Sequence, residues 1–339
     1  MFLTEALRDL FEEARSMFDR SASVDDYLQR DLAGLNRRIE RMKDPELGAV
    51  GAALREAFAA TGCQEAVDTS LEVSAGFLPA ENVIHYGQQD LRERRVLMID
   101  KFHENEHALQ WAAAAALSAD PGNDNVSIIL SPRDFVRALV LAEMDARAKQ
   151  TWLLSLAAKD FHGLAARAND QELQLSVSAF RRLRRKTGSL QEALRQTAST
   201  TLGMQGCWIA LEQGGEKTLR EFYIDRYLGH YARAIGNRKD KSKLTVVALG
   251  DDDIRAIGGA FGPNTFTDDA GNVLPVFKDI RFSDAQERFI ASLNKTLGIT
   301  DEKSLPDFSA TLRAQGQTEE SFMAAAMPQQ SASFVRPAP

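Results

Sequence analysis

Cysteine is almost missing from this sequence, with Cys63 and Cys207 the only two in 339 residues. Far apart in the chain, they form neither a disulfide framework nor the CxxC spacing of a thiolate metal site, so both are expected as small buried thiols. Long apolar runs are missing too. No window holds the roughly eighteen uninterrupted apolar residues of a membrane helix, which excludes a helical span. An excess of positive charge is also lacking: a formal charge of −7 and a pI near 5.4 argue against a dedicated nucleic-acid binder. One basic stretch is left, "FRRLRRKTGS" from Phe180 to Ser189. Without interleaved aromatics it is expected as solvated helix surface, with a dock for an acidic partner as the rival reading. The opening "MFLTEALRDLFEEARSMFDR" lacks the basic start and continuous apolar segment of a secretory signal. Its Leu3, Leu7, Leu10, Phe11 and Ala14 fall at helical spacing, and the expected location is the cytoplasm.

What is present suffices for a large core, since 44% of the residues are apolar. The pattern is mainly α, in an α+β class. Residues 1–66 read as an amino-terminal helical region, with a helix up to Phe18 and a longer one from about Asp25 to Ala60, closed by Gly62. Residues 67–165 read as the core unit. It begins with two short β-prone runs, containing Leu71, Val73, Val83 and Tyr86, around the turn "LPAEN", which predicts a small hairpin or short sheet. Leu91 to Leu117 has no Gly or Pro and is rich in Ala and Leu, the clearest helix of the chain. After a strand-like "SIIL", Ser131, Pro132 and Asp134 resemble an N-cap, a first-turn proline and a capping acid, starting a helix to about Ala158. Residues 166–312 read as further helices packed on the core: Asp170 to Arg185, Leu190 to Thr201, Thr218 to Ala234, Asp252 to Gly258 and Asp284 to Leu297. Residues 313–339, rich in Gln, Ser, Ala and Pro, are expected to be a disordered tail.

Histidine is scarce at five residues, yet two of the five fall in "KFHENEHALQ", which reads H-E-x-x-H at His103, Glu104 and His107. For a chain of this length the chance of one such match is on the order of half a percent. A helix turns about 100° per residue, so residues four apart return to one face and both imidazoles can point at one spot. Zinc takes nitrogen ligands at about 2.0 to 2.1 Å in tetrahedral geometry, so this pair supplies half a site without bending the backbone. Glu104 is then held beside the metal, where a carboxylate can take a proton from an activated water. Val96, Ile99, His103, His107, Gln110 and Ala114 share a face, which places the histidines on the buried side. The bland alternative is a pair of core histidines satisfied by ordinary hydrogen bonds.

A catalytic zinc has three protein ligands and an open position, so a third is needed. No histidine follows at the metzincin spacing, and the remaining His85, His162 and His230 are remote in sequence. In "LVLAEMDARAK", Glu143 shares a face with Val136, Leu139, Val140, Ala146 and Gln150 and so interrupts an apolar surface. A buried carboxylate needs a cation, and a zinc held by the preceding helix would serve. Asp145 is the other candidate, either as a ligand or as a group orienting a ligating histidine. Against both stand the pairs Glu143 with Arg147 and Asp145 with Lys149, whose i,i+4 spacing stabilises exposed helices.

Taken together, "HENEHALQ", "EMDARA" and the turn "GFLPAENVIHYG" resemble the zincin-like metallopeptidase domain of uncharacterised bacterial proteins. That family carries G-x-x-x-P-x-x-N-x-I, H-E-x-x-H-A-x-Q and E-x-D-A elements. The likeness runs from about Ser74 to Ala158, less than a third of the chain. It implies a zincin-like helical core, ligands at His103, His107 and Glu143, and a general base at Glu104. The proline of the turn is shifted, and Glu106 stands where a basic residue is common, so an extra carboxylate either alters metal affinity or faces solvent. By analogy, Leu71 to Tyr86 would form the rim that pairs with an extended substrate. His85, Tyr86, Tyr223, Tyr227 and His230 are candidate oxyanion stabilisers, each with a structural role as the plainer reading. The expected function is a zinc-dependent (Zn2+) peptide hydrolase with a peptide or protein substrate. The alternative is a helical interaction or scaffold protein with a structural or degenerate metal site.

Overall fold

A computed structural model describes residues 45–68, 75–87, 94–157, 171–201, 208–210 and 216–326. The expected amino-terminal helix, Leu71, Val73, His162, Cys207 and residues 327–339 lie outside the described residues. The elements run α1 (Pro45–Ala60), β1 (Gln64–Val67), β2 (Ala75–Leu78), β3 (Val83–Tyr86), α2 (Arg94–Ala113), β4 (Ile128–Leu130) and α3 (Pro132–Ala157). There follow α4 (Gln171–Thr187), α5 (Leu190–Thr201), β5 (Trp208–Ala210), β6 (Glu216–Thr218), α6 (Leu219–Asn237) and β7 (Thr245–Val247). The last are α7 (Asp251–Gly258), α8 (Pro275–Lys278), α9 (Asp284–Leu297), α10 (Phe308–Ala314) and α11 (Glu319–Ala326). This is the mainly helical α+β architecture that the sequence predicts.

Helix α3 is the axle, packing against α2, α4, α5, α6, α7 and α9. It starts where local chemistry says it should: the Ser131 hydroxyl accepts the Asp134 N–H at 3.2 Å and Pro132 fills the first turn. Val136, Val140, Leu141, Ala146 and Lys149 are all fully buried, so the helix is covered on more than one face. Helix α2 lies against it in the opposite direction, since Glu106 reaches Lys149 while Gln110 reaches Ala142. From Lys101 to Gln110 every residue of α2 is buried, including the charged ones. The single buried face expected for this helix is therefore an understatement.

Before α2 the chain forms a three-stranded sheet in the order β1, β3, β2, one strand more than the sequence suggests. Strands β2 and β3 are the expected hairpin, with Phe77 opposite Ile84. Asn82 takes the left-handed conformation at φ 52°, which its short polar side chain tolerates. The added strand β1 pairs parallel with β3 after Gly62 has closed α1 at φ 68°. Strand β2 is left at the sheet edge, against α2.

The carboxyl-terminal half does not form a separate core. Strand β7 pairs parallel with β4, and the Asp134 carboxylate accepts the Leu249 N–H at 3.1 Å. Tyr231 of α6 donates its hydroxyl to Leu130 O at 2.9 Å. One contiguous apolar cluster runs from Leu54 to Ala326. The disorder expected from Arg313 onward is wrong as far as Ala326: α11 is formed, Phe322 is buried edge-on to Phe308 at 5.2 Å, and Asn123 donates to Ala326 O at 2.6 Å. Polar composition hid two apolar anchors. Replacing Phe322 by Ala should destabilise the fold by about 3 kcal/mol, as removal of a buried ring does. Urea denaturation measures this, and a loss under about 1 kcal/mol would mean that α11 is only loosely attached.

Candidate metal centre

Residues four apart on α2 and one residue of α3 meet at a point. His103 Nε2 and His107 Nε2 are 3.1 Å apart. Glu143 Oε2 lies 3.4 Å from His103 Nε2, and its Oε1 lies 3.6 Å from His107 Nε2. All three side chains are nine-tenths buried. Among the described residues they are the one group of His, Cys, Asp or Glu whose ligand atoms converge to within 4.8 Å. The antiparallel contact of α2 and α3 makes this possible, because it faces both imidazoles toward Glu143.

The distances themselves test whether an ion fits. A tetrahedral zinc with bonds of about 2.0 to 2.2 Å sets its ligand atoms about 3.3 to 3.6 Å apart, close to the three separations found. Glu143 Oε2 and His103 Nδ1 are also buried without a hydrogen-bond partner. A carboxylate oxygen in that position is costly unless a cation meets it. Two imidazole nitrogens and one carboxylate are the donor types that a His2Glu centre would use.

Protonation follows the same geometry. Burial alone would push the Glu143 carboxyl upward, yet the facing imidazoles outweigh it and hold Glu143 well below the ordinary carboxylate range. Burial opposes a charge on His107 as well, but Glu143 beside it raises the imidazole to about 9. His103 goes the other way, lowered by burial and by its charged neighbour His107, with Glu143 offsetting only part.

Around these three side chains stands a shell of buried polar groups. Glu104 turns to the sheet, where its Oε2 accepts the Phe77 N–H of edge strand β2 at 2.8 Å. Phe77 packs edge-on against Trp111, which in turn lies edge-on to His107. Tyr227 of α6 donates its hydroxyl to Glu143 Oε1 at 3.0 Å. Tyr223 stacks on Tyr227, and Arg147 donates to its hydroxyl at 3.2 Å. Behind His107, Gln110 Oε1 meets Nδ1 at 2.9 Å, and Gln110 Nε2 donates to Asp145 Oδ2 at 2.8 Å.

Of the residues singled out from the sequence, His103, His107 and Glu143 are brought together and Glu104 is adjacent on the same helix. Asp145 is not with them: it binds Lys149 at 3.0 Å, Gln110 and Thr265. Its pairing with Lys149 is fully buried, not the exposed helix pair that spacing suggests. Glu106 neither nears the cluster nor faces solvent, because Lys149 takes it at 2.9 Å in the same buried ion group. Among the oxyanion candidates, Tyr86 donates to Glu65, His85 lies between Asp68 and Glu81, and His230 binds Asp120. Only Tyr223 and Tyr227 approach the centre. Sequence spacing pairs Lys149 with Asp145 but does not reveal its burial, the contact of Thr265 with Asp145, or the part played by Gln110. The Gln three residues after His107 was a usable signal; Thr265, far along the chain, left none.

Comparison with known proteins adds nothing to this geometry: no family model, curated protein or solved structure matches the chain. Two measurements test the centre directly. Protein purified without chelator should carry one equivalent of zinc by elemental analysis, and Glu143→Ala should lose most of it; full occupancy in that variant would remove Glu143 as a ligand. Tyr227→Phe, which deletes only the bond to Glu143, should weaken zinc binding about tenfold, the lower end for a group that orients a ligand. A competitive chelator titration reads that change.

Proposed function

We propose that the chain is a zinc-dependent hydrolase of peptide bonds, with a zincin-like helical core. The observation that carries this reading is the convergence of His103, His107 and Glu143 with Glu104 one residue away on the helix. A bound ion would supply Lewis acidity, lowering the pKa of a water and polarising a carbonyl. His103, His107 and Glu143 would hold it through two nitrogens and an oxygen. Glu104 then has the general-base role: its carboxylate takes the proton of the attacking water and returns it to the departing amine.

Other residues of the chain fall into supporting roles. The Phe77 N–H fixes Glu104 in direction. Apart from the Phe77 N–H that Glu104 takes, the outer edge of β2 is where an extended peptide would add as a further strand. Tyr223, with Arg147 on its hydroxyl, would be a donor for the developing oxyanion. No described helix is long and apolar enough to cross a membrane.

One observation favours a second reading, a helical interaction protein with a structural metal: all three ligands are nine-tenths buried. Structural zinc is closed, whereas catalytic zinc keeps one position open to small ligands. Cobalt-substituted protein separates the two. Its visible spectrum should shift when a small hydroxamate is added if the open position exists, and should stay constant if the centre is closed.

Glu104→Gln provides the chemical test. Gln keeps an oxygen for the Phe77 N–H and leaves the ligands alone, so zinc content should be unchanged. Cleavage of a casein or peptide-library substrate should fall by about two to four orders of magnitude, the usual worth of a positioned base. Turnover equal to that of the parent would refute Glu104 as the base.

A further inference from the structure

The side of His107 away from Glu143 holds a chain of buried groups that the hydrolytic reading does not use. Gln110 is fully buried, and its amide has one accepting oxygen and one donating nitrogen. The nitrogen faces Ala142 O at 3.0 Å and Asp145 Oδ2 at 2.8 Å, two atoms that can only accept. Turning the amide over would set its oxygen against both. The orientation is therefore dictated by the network. The oxygen is left facing His107 Nδ1 at 2.9 Å, and because it can only accept, Nδ1 must carry the hydrogen. A neutral imidazole protonated at Nδ1 keeps its lone pair on Nε2, the atom that faces His103 and Glu143.

We infer that Gln110 locks His107 in the tautomer whose Nε2 can ligate a metal, and that Asp145 holds Gln110 in the orientation that does so. Both are positioning residues, and the inference rests on the metal reading above. Asp145 is itself fixed from two further sides, by Lys149 at 3.0 Å and by the Thr265 hydroxyl. Lys149 is fixed in turn by Glu106 at 2.9 Å and by Gly258 O at 3.2 Å. Gly258 and Thr265 lie over a hundred positions beyond α2 in sequence, so the carboxyl-terminal half sets the tautomer of a ligand in the amino-terminal half. Tautomer and ring direction of a ligating histidine are what such outer groups usually control, and their loss costs about 10- to 100-fold in metal affinity.

Zinc-loaded protein with nitrogen-labelled histidine tests this through a long-range proton–nitrogen correlation spectrum, which distinguishes the two ring nitrogens without any turnover. For His107 the pattern expected is a protonated Nδ1 with metal at Nε2. Gln110→Met preserves side-chain length but deletes both ends of the amide; it should lose the Nδ1–H signature and bind zinc about 10- to 100-fold more weakly. Asp145→Asn should keep both, because its amide oxygen still faces only the donors of Lys149 and Gln110. Should Gln110→Met prove insoluble, Thr265→Val removes a single outer bond and should still weaken zinc binding measurably.

Coordination of His107 through Nδ1 would overturn the relay and leave the centre intact. So would a soluble Gln110→Met with unchanged spectrum and affinity, or, in its place, Thr265→Val with unchanged affinity. A parent protein that takes up no zinc would overturn the centre and the relay together.

Discussion

Glu143 is a carboxylate placed where water scarcely reaches, and much of the structure follows from what must surround it. Its two oxygens face two imidazoles, and one of them also takes the Tyr227 hydroxyl. Removing one partner from a buried ionic group costs about 3–5 kcal/mol, because the remaining charge has nowhere to go. Helices α2 and α3 are thereby held in one register along their antiparallel contact. A shift of one residue on either helix would turn Glu143 away from the histidines.

A second buried ionic group lies deeper in the same interface. Lys149 stands between Asp145 and Glu106, one ammonium for two carboxylates, all nearly free of solvent contact. Burial pushes the Glu106 carboxyl up to about 8 despite the opposing Lys149. Such groups are costly to bury and gain little over an apolar core in stability. What they contribute here is direction: Asp145 accepts from Lys149, Gln110 and Thr265, and Gln110 in turn meets His107. The apolar work is left to residues such as Val136, Val140, Leu141 and Ile129, which are fully buried around them.

The length of the chain beyond α3 becomes intelligible in these terms. Helix α6 brings Tyr227 and Tyr223 to the Glu143 side of the centre. The end of α7 and the segment after it bring Gly258 O and Thr265 to the other side. Strand β7 secures this half by pairing with β4, immediately before α3 begins. The motif-bearing part of the sequence therefore supplies His103, His107 and Glu143, and the remainder supplies groups packed around them.

Much of this was legible beforehand where short-range physics decides. Helical spacing placed His103 and His107 on one face, the Ser131–Pro132 start and Gly-free stretches located α2 and α3, and the turn at Pro79 to Asn82 located the hairpin. An acid interrupting an apolar face picked out Glu143. Other expectations failed where a partner distant in sequence decides. Spacing alone reads Asp145 with Lys149 as a surface pair and leaves Glu106 beside the metal or in water, whereas packing buries all three together. Composition reads residues beyond Arg313 as disordered, whereas Phe322 finds Phe308. The sequence by itself determined which side chains each helix turns to a common face, because that depends on a fixed rise and rotation per residue. Only the tertiary structure decided which charges meet and which amide faces which ring, because those pairings depend on helices brought together from opposite ends of the chain.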